Sequence, residues 1–381
     1  MSTFDFSRVE HLLDTMPERG IPCAELAVTY QGRTVYRHNA GFADAERTKP
    51  LDGEDLYAVF SCTKIATCTS AMMLVEKGLI GLDDPVYKYL PAFKDLYVKD
   101  GNGIRPAKTT LTVRHLFTMT GGFNYDYTGT VALQNVTRKS GFKTIDFVNA
   151  LAMGPLEFDP GTHFRYSLCH DVLGGVIEAV TGLTLEKYMK QALFDPLDMT
   201  DTTFHPTPSQ WDRLVRMYNY DFSTAGATPA EDEHSVPLRT RSGFESGGGG
   251  LISKTDDYIR LMTMLSMKGS TPDGKQILKP ETIKMMQHNE LSGATARDFL
   301  GSRLFGYGWG LCGRVHVNPV QSLSRSSVGE FGWDGAAASF ALADPEKEVA
   351  LFFATHVHHC NYAYHLLHPV IRDMTYEALG L

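Results

Sequence analysis

The sequence lacks a long hydrophobic run. No apolar stretch approaches the roughly 18 residues that a membrane-spanning helix needs, so we predict neither a transmembrane segment nor a membrane partner. The segment from Met1 to Glu10 is polar and has no charged-then-apolar leader, which predicts a protein that is not secreted. These two absences together predict a cytoplasmic location.

Positive charge is also scarce. The chain has 36 lysine and arginine residues against 44 aspartate and glutamate residues, a net charge of −8 at pH 7. Proteins that bind nucleic acid or anionic membranes usually present a basic patch. No basic cluster with interleaved aromatic residues occurs here, so we predict that nucleic acid is not a partner.

Cysteines are few and are not paired in spacing. Disulfide frameworks and zinc sites place cysteines at characteristic short intervals, and none of those intervals occurs. Four of the six lie within apolar segments, which predicts reduced thiols in the core. The six are Cys23, Cys62, Cys68, Cys169, Cys312 and Cys360.

Motifs for metals and nucleotide cofactors are missing as well. His356, His358, His359 and Cys360 can bind metals but do not have a closed ligand spacing, so we interpret them as loop and helix start. The sequence has no phosphate loop, dinucleotide fingerprint or G-x-S-x-G elbow. We therefore predict no metal and no cofactor.

The most informative stretch that is present is Ser61-Cys62-Thr63-Lys64. The apolar residues after it recur at three- and four-residue steps up to Gly78, which predicts a helix that begins at Ser61. At this spacing the Ser61 and Lys64 side chains share one helix face, with Cβ atoms about 5–6 Å apart. A lysine activates a serine only when neutral, and burial lowers its pKa. The pair therefore predicts a nucleophile and its base.

A simpler interpretation competes with this one, and the pattern occurs a second time in the chain. Ser61 could cap the helix while Lys64 is solvated, although the first turn of a helix favours acidic residues over lysine. The same pattern also occurs at Ser140-Gly141-Phe142-Lys143, in a polar segment without a helical apolar pattern. We interpret that second copy as surface.

Segment patterns outline the architecture. A chain of 381 residues exceeds what one core usually serves, which favours two domains. The patterns predict an initial helix, a hairpin, a helical middle broken by proline and glycine, a second hairpin and a closing helix. The corresponding ranges are 5–17, 24–30 with 34–42, 83–234, 336–343 with 348–355, and 362–379.

Six segments in order resemble one known family. They resemble the serine β-lactamase and penicillin-recognising superfamily, in its class C-like branch with family VIII carboxylesterases and D-amino-acid-acting peptidases. Six matches in sequence order are far more specific than any single motif. They are the Ser61–Lys64 helix, His115–Gly122, Phe164–Ser167, Leu173–Glu178, Ser246–Leu251 and Gly332–Gly335.

The resemblance implies an α/β (α+β) fold of the β-lactamase/transpeptidase type. Its antiparallel sheet is flanked by helices and interrupted by an inserted all-helical domain. We expect residues 1–86 and 235–381 to form the discontinuous α/β domain and residues 87–234 the insertion. The active site would then lie at the interface of the two domains.

The resemblance also implies roles for individual residues. Ser61 would be the acylated nucleophile, with Lys64 and Tyr166 moving protons. A cationic lysine next to a tyrosine favours phenolate, so Lys64 and Tyr166 could share one proton. The backbone amides of Ser61 and Ala336 would form the oxyanion hole.

The chain departs from the lactamase pattern at two places. Leu168 stands where lactamases usually have asparagine, and it cannot hydrogen-bond a substrate amide. Trp333-Asp334-Gly335 replaces lysine or histidine, any residue, then glycine, so Asp334 should repel the carboxylate of a lactam. Gly335 permits close backbone approach. We therefore predict that Leu168, Trp333, Asp334 and Gly335 bind a neutral substrate.

The predicted function is hydrolysis of small esters through an acyl-enzyme at Ser61. One alternative is a D-aminopeptidase or amidase whose amine-bearing substrate pairs with Asp334, and another is a weak β-lactamase. A third alternative, from a different class, is a catalytically silent binding or assembly module. The enzyme alternatives all predict a small-molecule ester or amide as the partner.

Overall fold

The computed structural model describes residues 4–231, 243–301 and 304–381. The predicted domain boundary at residues 234 and 235 lies outside these ranges. The strands are β1 Cys23–Tyr30, β2 Arg33–Gly41, β3 Tyr57–Ala58, β4 Tyr97–Asp100, β5 Gly103–Pro106, β6 Tyr218–Asp221, β7 Gly226–Pro229, β8 Ile252–Ser253, β9 Tyr307–Trp309, β10 Arg314–His316, β11 Phe331–Asp334, β12 Phe340–Asp344, β13 Val349–Ala354 and β14 Val357–His358.

The helices occupy the intervals between these strands. They are α1 Ser7–Asp14, α2 Thr63–Glu76, α3 Val113–Phe117, α4 Val131–Thr137, α5 Thr144–Ala152, α6 Cys169–Thr181, α7 Leu185–Met189, α8 Pro208–Trp211, α9 Thr255–Ser266, α10 Pro280–Met286, α11 Gly293–Leu300, α12 Pro319–Ser322 and α13 His368–Leu379. Helix and antiparallel sheet together confirm the predicted fold class.

Seven strands form the main sheet, in the order β2-β1-β13-β12-β11-β10-β9. Every neighbouring pair in it is antiparallel. The first and last predicted hairpins lie side by side in this sheet, because β1 pairs with β13 from Glu25 opposite Ala354 to Tyr30 opposite Val349. The two ends of the chain therefore build one sheet.

Strand β13 explains how the sheet is covered on both faces. Its side chains alternate, so Val349, Leu351 and Phe353 pack in the cluster that contains α1 and α13. The intervening Phe352 points to the other face and stacks on Tyr258 of α9, with ring centroids 4.3 Å apart. Because both faces are buried, this strand is apolar throughout rather than alternating.

Helix α2 lies between the sheet and the inserted helices. The sequence pattern predicted one apolar stripe, but every residue from Thr63 to Leu74 is buried. The helix packs against α6 on one side and β11 on another, so little of its circumference meets water. This position takes Lys64, in its first turn, out of solvent.

The region predicted to be an all-helical insertion, residues 87–234, is mainly helical but also contains strands. Two short hairpins, β4 with β5 and β6 with β7, lie within residues 87–234. The first turns at Asp100-Gly101-Asn102-Gly103, where Gly101 has φ +58°. Asp-Gly and Asn-Gly pairs favour such turns, and this signal identifies the hairpin that the all-helical prediction overlooked.

Two local predictions differ from the structure. The predicted strand 336–343 begins only at Phe340, because Gly335 to Ala338 form a turn closed by the Ala338 amide and the Gly335 carbonyl. The closing helix starts as a π-helical turn at Ala363–Leu367 before α13. Within the described ranges, no helix has the length and apolarity to cross a membrane.

Candidate active site

Ser61 lies in a single 3₁₀ turn, Phe60–Cys62, immediately before α2. Phe60 has φ +44°, a left-handed conformation that costs a residue with a side chain about 1–2 kcal/mol. The Tyr258 hydroxyl of α9 donates to the Cys62 carbonyl at 2.6 Å and stabilises the turn. The strained turn leaves the Ser61 side chain half-buried beside Lys64.

Lys64 is fully buried and its ammonium group has three polar neighbours. Its Nζ lies 3.2 Å from Ser61 Oγ and 3.1 Å from the Tyr125 hydroxyl, and it donates to the Gly248 carbonyl. Burial lowers the pKa of Lys64 to about 8, although the charge of Asp171 opposes this effect. Near pH 7, part of the protein therefore has Lys64 in the unprotonated form that can accept a proton.

Two stacked tyrosines cover Lys64. The rings of Tyr125 and Tyr166 are nearly parallel with centroids 5.6 Å apart, and Lys64 Nζ lies 4.6 Å from the Tyr166 centroid. Trp333 Nε1 donates to the Tyr166 hydroxyl at 2.9 Å. Burial raises the pKa of both phenols well above the usual value. The expected phenolate is thus unfavourable here, because the cost of burying its charge exceeds the effect of Lys64.

Sequence reasoning missed Tyr125. It contacts Lys64 from 61 positions along the chain, in a loop that has no regular period. A signal was present, because Tyr125 and Tyr127 directly follow the matched segment that ends at Gly122. Paired tyrosines after a family motif were reason enough to weigh Tyr125 beside Tyr166.

The end of β11 approaches the Ser61 turn closely at Gly335. A Cβ on Gly335 would lie 2.5 Å from the Val59 carbonyl oxygen and closer still to Ser339 Oγ, so only glycine fits. The Tyr364 hydroxyl donates to the carbonyls of Gly335 and Ala336, at 2.9 and 3.0 Å. This contact orients the peptide units that lead to the exposed Ala336.

Asp334 is arranged differently from the prediction. Its carboxylate faces Arg314 at 3.4 Å and His368 at 3.3 Å, on the opposite side of β11 from Trp333. Burial raises the pKa of Asp334, but Arg314 and His368 outweigh this effect and hold it below the ordinary value. Arg314 is also paired with the buried Glu330 at 3.2 Å, so it compensates the charge of Asp334 in part, and both predicted effects of Asp334 on a substrate are weaker than we expected.

Leu168 also differs from the prediction as a substrate contact. Its side chain is 0% exposed and belongs to the main hydrophobic cluster. It lies at the start of α6, where its amide donates to the Asn124 carbonyl at 3.2 Å. Because leucine replaces asparagine at position 168, the site lacks a side-chain amide there, as predicted. The buried position of Leu168 keeps it from touching a substrate. Trp333, in contrast, reaches Tyr166 and is partly exposed.

The glycine run after Ser246 packs directly against α2 and α6. A Cβ on Gly247 would lie 2.5 Å from the His170 carbonyl, and one on Gly248 would lie 2.5 Å from Asp171 Oδ2. Thr67 Oγ1 donates to the Gly247 carbonyl at 2.7 Å. The glycines thus let the backbone come close enough for the Gly248 carbonyl to accept from Lys64.

Three metal-capable side chains come together outside the 356–360 segment. Donor atoms of Glu186, His205 and Glu245 lie within 4.8 Å of one another. His205 Nε2 is 2.9 Å from Glu245 Oε1, and each glutamate also accepts from a backbone amide, so hydrogen bonding explains the group. His356, from the predicted loop cluster, is buried with Nδ1 2.8 Å from the Val215 carbonyl.

A serine beside a buried lysine and two tyrosines is the kind of site that serine hydrolases use. A model of the Beta-lactamase family matches residues 8–370, so the chain belongs to the Beta-lactamase family. The family resemblance predicted from six motifs is thereby confirmed. Members of this family are serine hydrolases, and the chain is an enzyme of that class.

Individual relatives agree with this assignment. Esterase EstB of Burkholderia gladioli is 26% identical over 363 residues, which cover 86% of this chain and 84% of the relative. A putative D-alanyl-D-alanine carboxypeptidase of Escherichia coli K12 is 25% identical over 386 residues, covering 93% and 82%. The structure of EstCE1, a hydrolase with promiscuous acyltransferase activity, superposes with a TM-score of 0.79 at 24% identity, covering 97% and 98%.

Proposed function

We propose that this enzyme hydrolyses small neutral carboxylic esters through an acyl-enzyme at Ser61. The observation that carries the proposal is the fully buried Lys64 amine 3.2 Å from Ser61 Oγ. A lysine of lowered pKa can accept the serine proton near neutral pH, which a solvated lysine cannot. Esterase EstB supports an ester as the substrate class.

Acylation begins with attack of Ser61 Oγ on the ester carbonyl carbon, while neutral Lys64 takes the hydroxyl proton. The carbonyl oxygen becomes an oxyanion and accepts from the backbone amides of Ser61 and Ala336. Collapse of this intermediate breaks the bond to the alkoxy group. The leaving alcohol receives a proton that passes from Lys64 through a tyrosine hydroxyl.

Tyr125 and Tyr166 together relay this proton. Tyr125 is hydrogen-bonded to Lys64, and Tyr166 is oriented by Trp333. Both stay neutral, because burial raises the pKa of each phenol. A neutral phenol can donate one proton and receive another in the same step. Water then attacks the acyl group by the reverse route and restores Ser61.

The aromatic side chains of Trp333 and Trp309 favour a neutral substrate. Trp333 occupies the position where the lactamase pattern has a cation, and its ring packs on Trp309 with centroids 4.6 Å apart. An aromatic wall contacts apolar groups and offers a carboxylate no counter-charge. Since Asp334 is paired with Arg314 and His368, an amine-bearing substrate also gains little. This weakens one argument for the amidase alternative, which the putative D-alanyl-D-alanine carboxypeptidase of Escherichia coli K12 still supports.

Hydrolysis of three substrates tests the proposed class. We expect kcat/KM for p-nitrophenyl butyrate to exceed the values for a D-alanyl p-nitroanilide and a chromogenic cephalosporin by at least about 10²-fold. Initial rates at equal enzyme concentration give these values. A preference for the D-alanyl amide would support the peptidase alternative instead. Labelling of Ser61 by a fluorophosphonate without turnover of any substrate would favour the binding-module alternative.

The pH dependence tests Lys64 as the base. Only the neutral amine accepts a proton, so kcat/KM should rise with pH and level off above the Lys64 pKa of about 8. Steady-state rates between about pH 6 and pH 9 measure this. The rate of fluorophosphonate labelling should follow the same curve, because it reports attack by Ser61 alone. A flat profile in both assays would contradict the role of Lys64.

A further inference from the structure

Asp171 is a fully buried carboxylate close to Lys64 that neither the motifs nor the proposed mechanism uses. It lies in the first turn of α6, five residues after Tyr166. Burying an ionisable group is costly unless it is paired or hydrogen-bonded. The contacts of Asp171 must therefore offset the cost of burying it.

One oxygen of Asp171 holds the glycine loop. Oδ1 accepts from the Ser246 hydroxyl at 2.5 Å and from the Gly248 amide at 3.3 Å. Gly248 is the same residue whose carbonyl accepts from Lys64 Nζ. A single peptide segment thus connects the carboxylate to the ammonium group, and its position depends on Asp171.

The other oxygen indicates the charge state. Asp171 Oδ2 is buried and has no hydrogen-bond partner in the structure. A protonated Oδ2 would be a donor without an acceptor, whereas an ionised carboxylate is balanced by the positive charge of Lys64. The arrangement therefore favours the ionised form. Burial raises the pKa of Asp171 above its ordinary value, and Ser246, Lys64 and the Gly248 amide reduce this rise.

Other titratable groups around Lys64 are neutral. Burial raises the pKa of the surrounding phenols and thiols, and it lowers the pKa of His170 to about 3. Among the described residues that face Lys64, this leaves Asp171 as the anion. The neutral groups are Tyr125, Tyr127, Tyr166, Cys62, Cys68, Cys169 and His170.

We propose that Asp171 is a positioning residue that sets both the place and the basicity of Lys64. It holds the Gly248 carbonyl against the Lys64 amine, and its negative charge stabilises the ammonium form. Asp171 thereby limits how far burial weakens Lys64 as a base. The proposal rests on the proposed role of Lys64.

Neutral variants of Asp171 test the electrostatic part. In Asp171→Asn the ammonium form loses its counter-charge and Lys64 becomes neutral at lower pH. The rise of kcat/KM with pH, called the acidic limb, should therefore move to lower pH by about one unit. Asp171→Ser, which leaves room for a water molecule, should move it in the same direction. Full pH profiles measure the shift, and thermal unfolding verifies that each variant is folded. A limb that stays in place in a folded neutral variant overturns the proposal.

Two controls separate charge from general disruption. Ser246→Ala removes a hydrogen bond to Oδ1 but keeps the charge, so it should lower kcat without moving the limb. Glu178→Gln neutralises a half-buried carboxylate on α6, two turns away, and should also leave the limb in place. A shift of similar size in either control would mean that the shift does not report the pairing of Asp171 with Lys64.

A reciprocal measurement does not depend on Asp171 variants. If the two charges are paired, removing Lys64 must raise the pKa of one buried aspartate. Carbon-13 NMR of aspartate-labelled Lys64→Met should show one carboxyl that titrates at higher pH than in the wild type. Identical titrations in the two proteins would contradict the pairing. Absence of the limb near pH 8 in the wild type would instead contradict the proposed role of Lys64.

Discussion

Replacing Ser61 with alanine should lower kcat/KM for p-nitrophenyl butyrate by at least about 10³-fold, because no acyl-enzyme can form without Oγ. The backbone of the turn remains, so the oxyanion donors of Ser61 and Ala336 stay in place and a small residual rate is expected. Intact-mass spectrometry after fluorophosphonate treatment should show one adduct on the wild type and none on Ser61→Ala.

The chain offers a matched control in its second copy of the motif. Ser140 precedes Lys143 by the same three positions, but both side chains are exposed, so no buried amine stands beside this serine. Ser140→Ala should therefore keep wild-type turnover and the single adduct. Retention of both adduct and turnover in Ser61→Ala would mean that the nucleophile has been assigned to the wrong serine.

Replacing Lys64 with methionine should lower kcat/KM by about 10²–10⁴-fold, the usual contribution of a general base. Methionine keeps much of the buried stem volume, so packing against α6 is largely retained. The rise in rate near pH 8 should disappear together with the titrating amine. Steady-state kinetics across pH and the rate of fluorophosphonate labelling measure both effects.

Stability should fall together with activity. Lys64→Met removes the charge that balances the buried Asp171 carboxylate and takes a donor from the Gly248 carbonyl, so the free energy of unfolding should decrease by about 3–5 kcal/mol. Chemical denaturation measures this quantity. Lys143→Met, at the exposed second copy, is the matched control and should change neither activity nor the pH profile. Wild-type activity in folded Lys64→Met would exclude Lys64 as the base.

Much of the main sheet could be predicted from the sequence. The hairpin of β1 and β2 and the apolar β13 have strong local patterns, and their observed ends lie within one or two residues of the prediction. The inserted hairpins were missed because their strands are only four residues long and partly exposed. Short exposed strands carry little hydrophobic period, and only their turn residues identify them.

The candidate site divides in the same way. Spacing alone places Ser61 and Lys64 on one helix face, and the structure joins them at 3.2 Å. Tyr125 and Asp171 reach the site from distant segments, so no local pattern contains the contact. The balance of charge at Asp334 depends on Arg314 and His368, which lie 20 and 34 positions away in the sequence.

The sequence by itself determined the family, the fold class and the pairing of a serine with a lysine. The pairing follows from helical spacing, whereas the family and the fold class follow from the resemblance of six ordered segments to a known family. The tertiary structure alone decided that Lys64 is buried, that its pKa falls to about 8, and that Asp334 is paired with Arg314. Ionisation depends on solvent exclusion and on charges brought together from distant segments, and only the packed fold fixes either one.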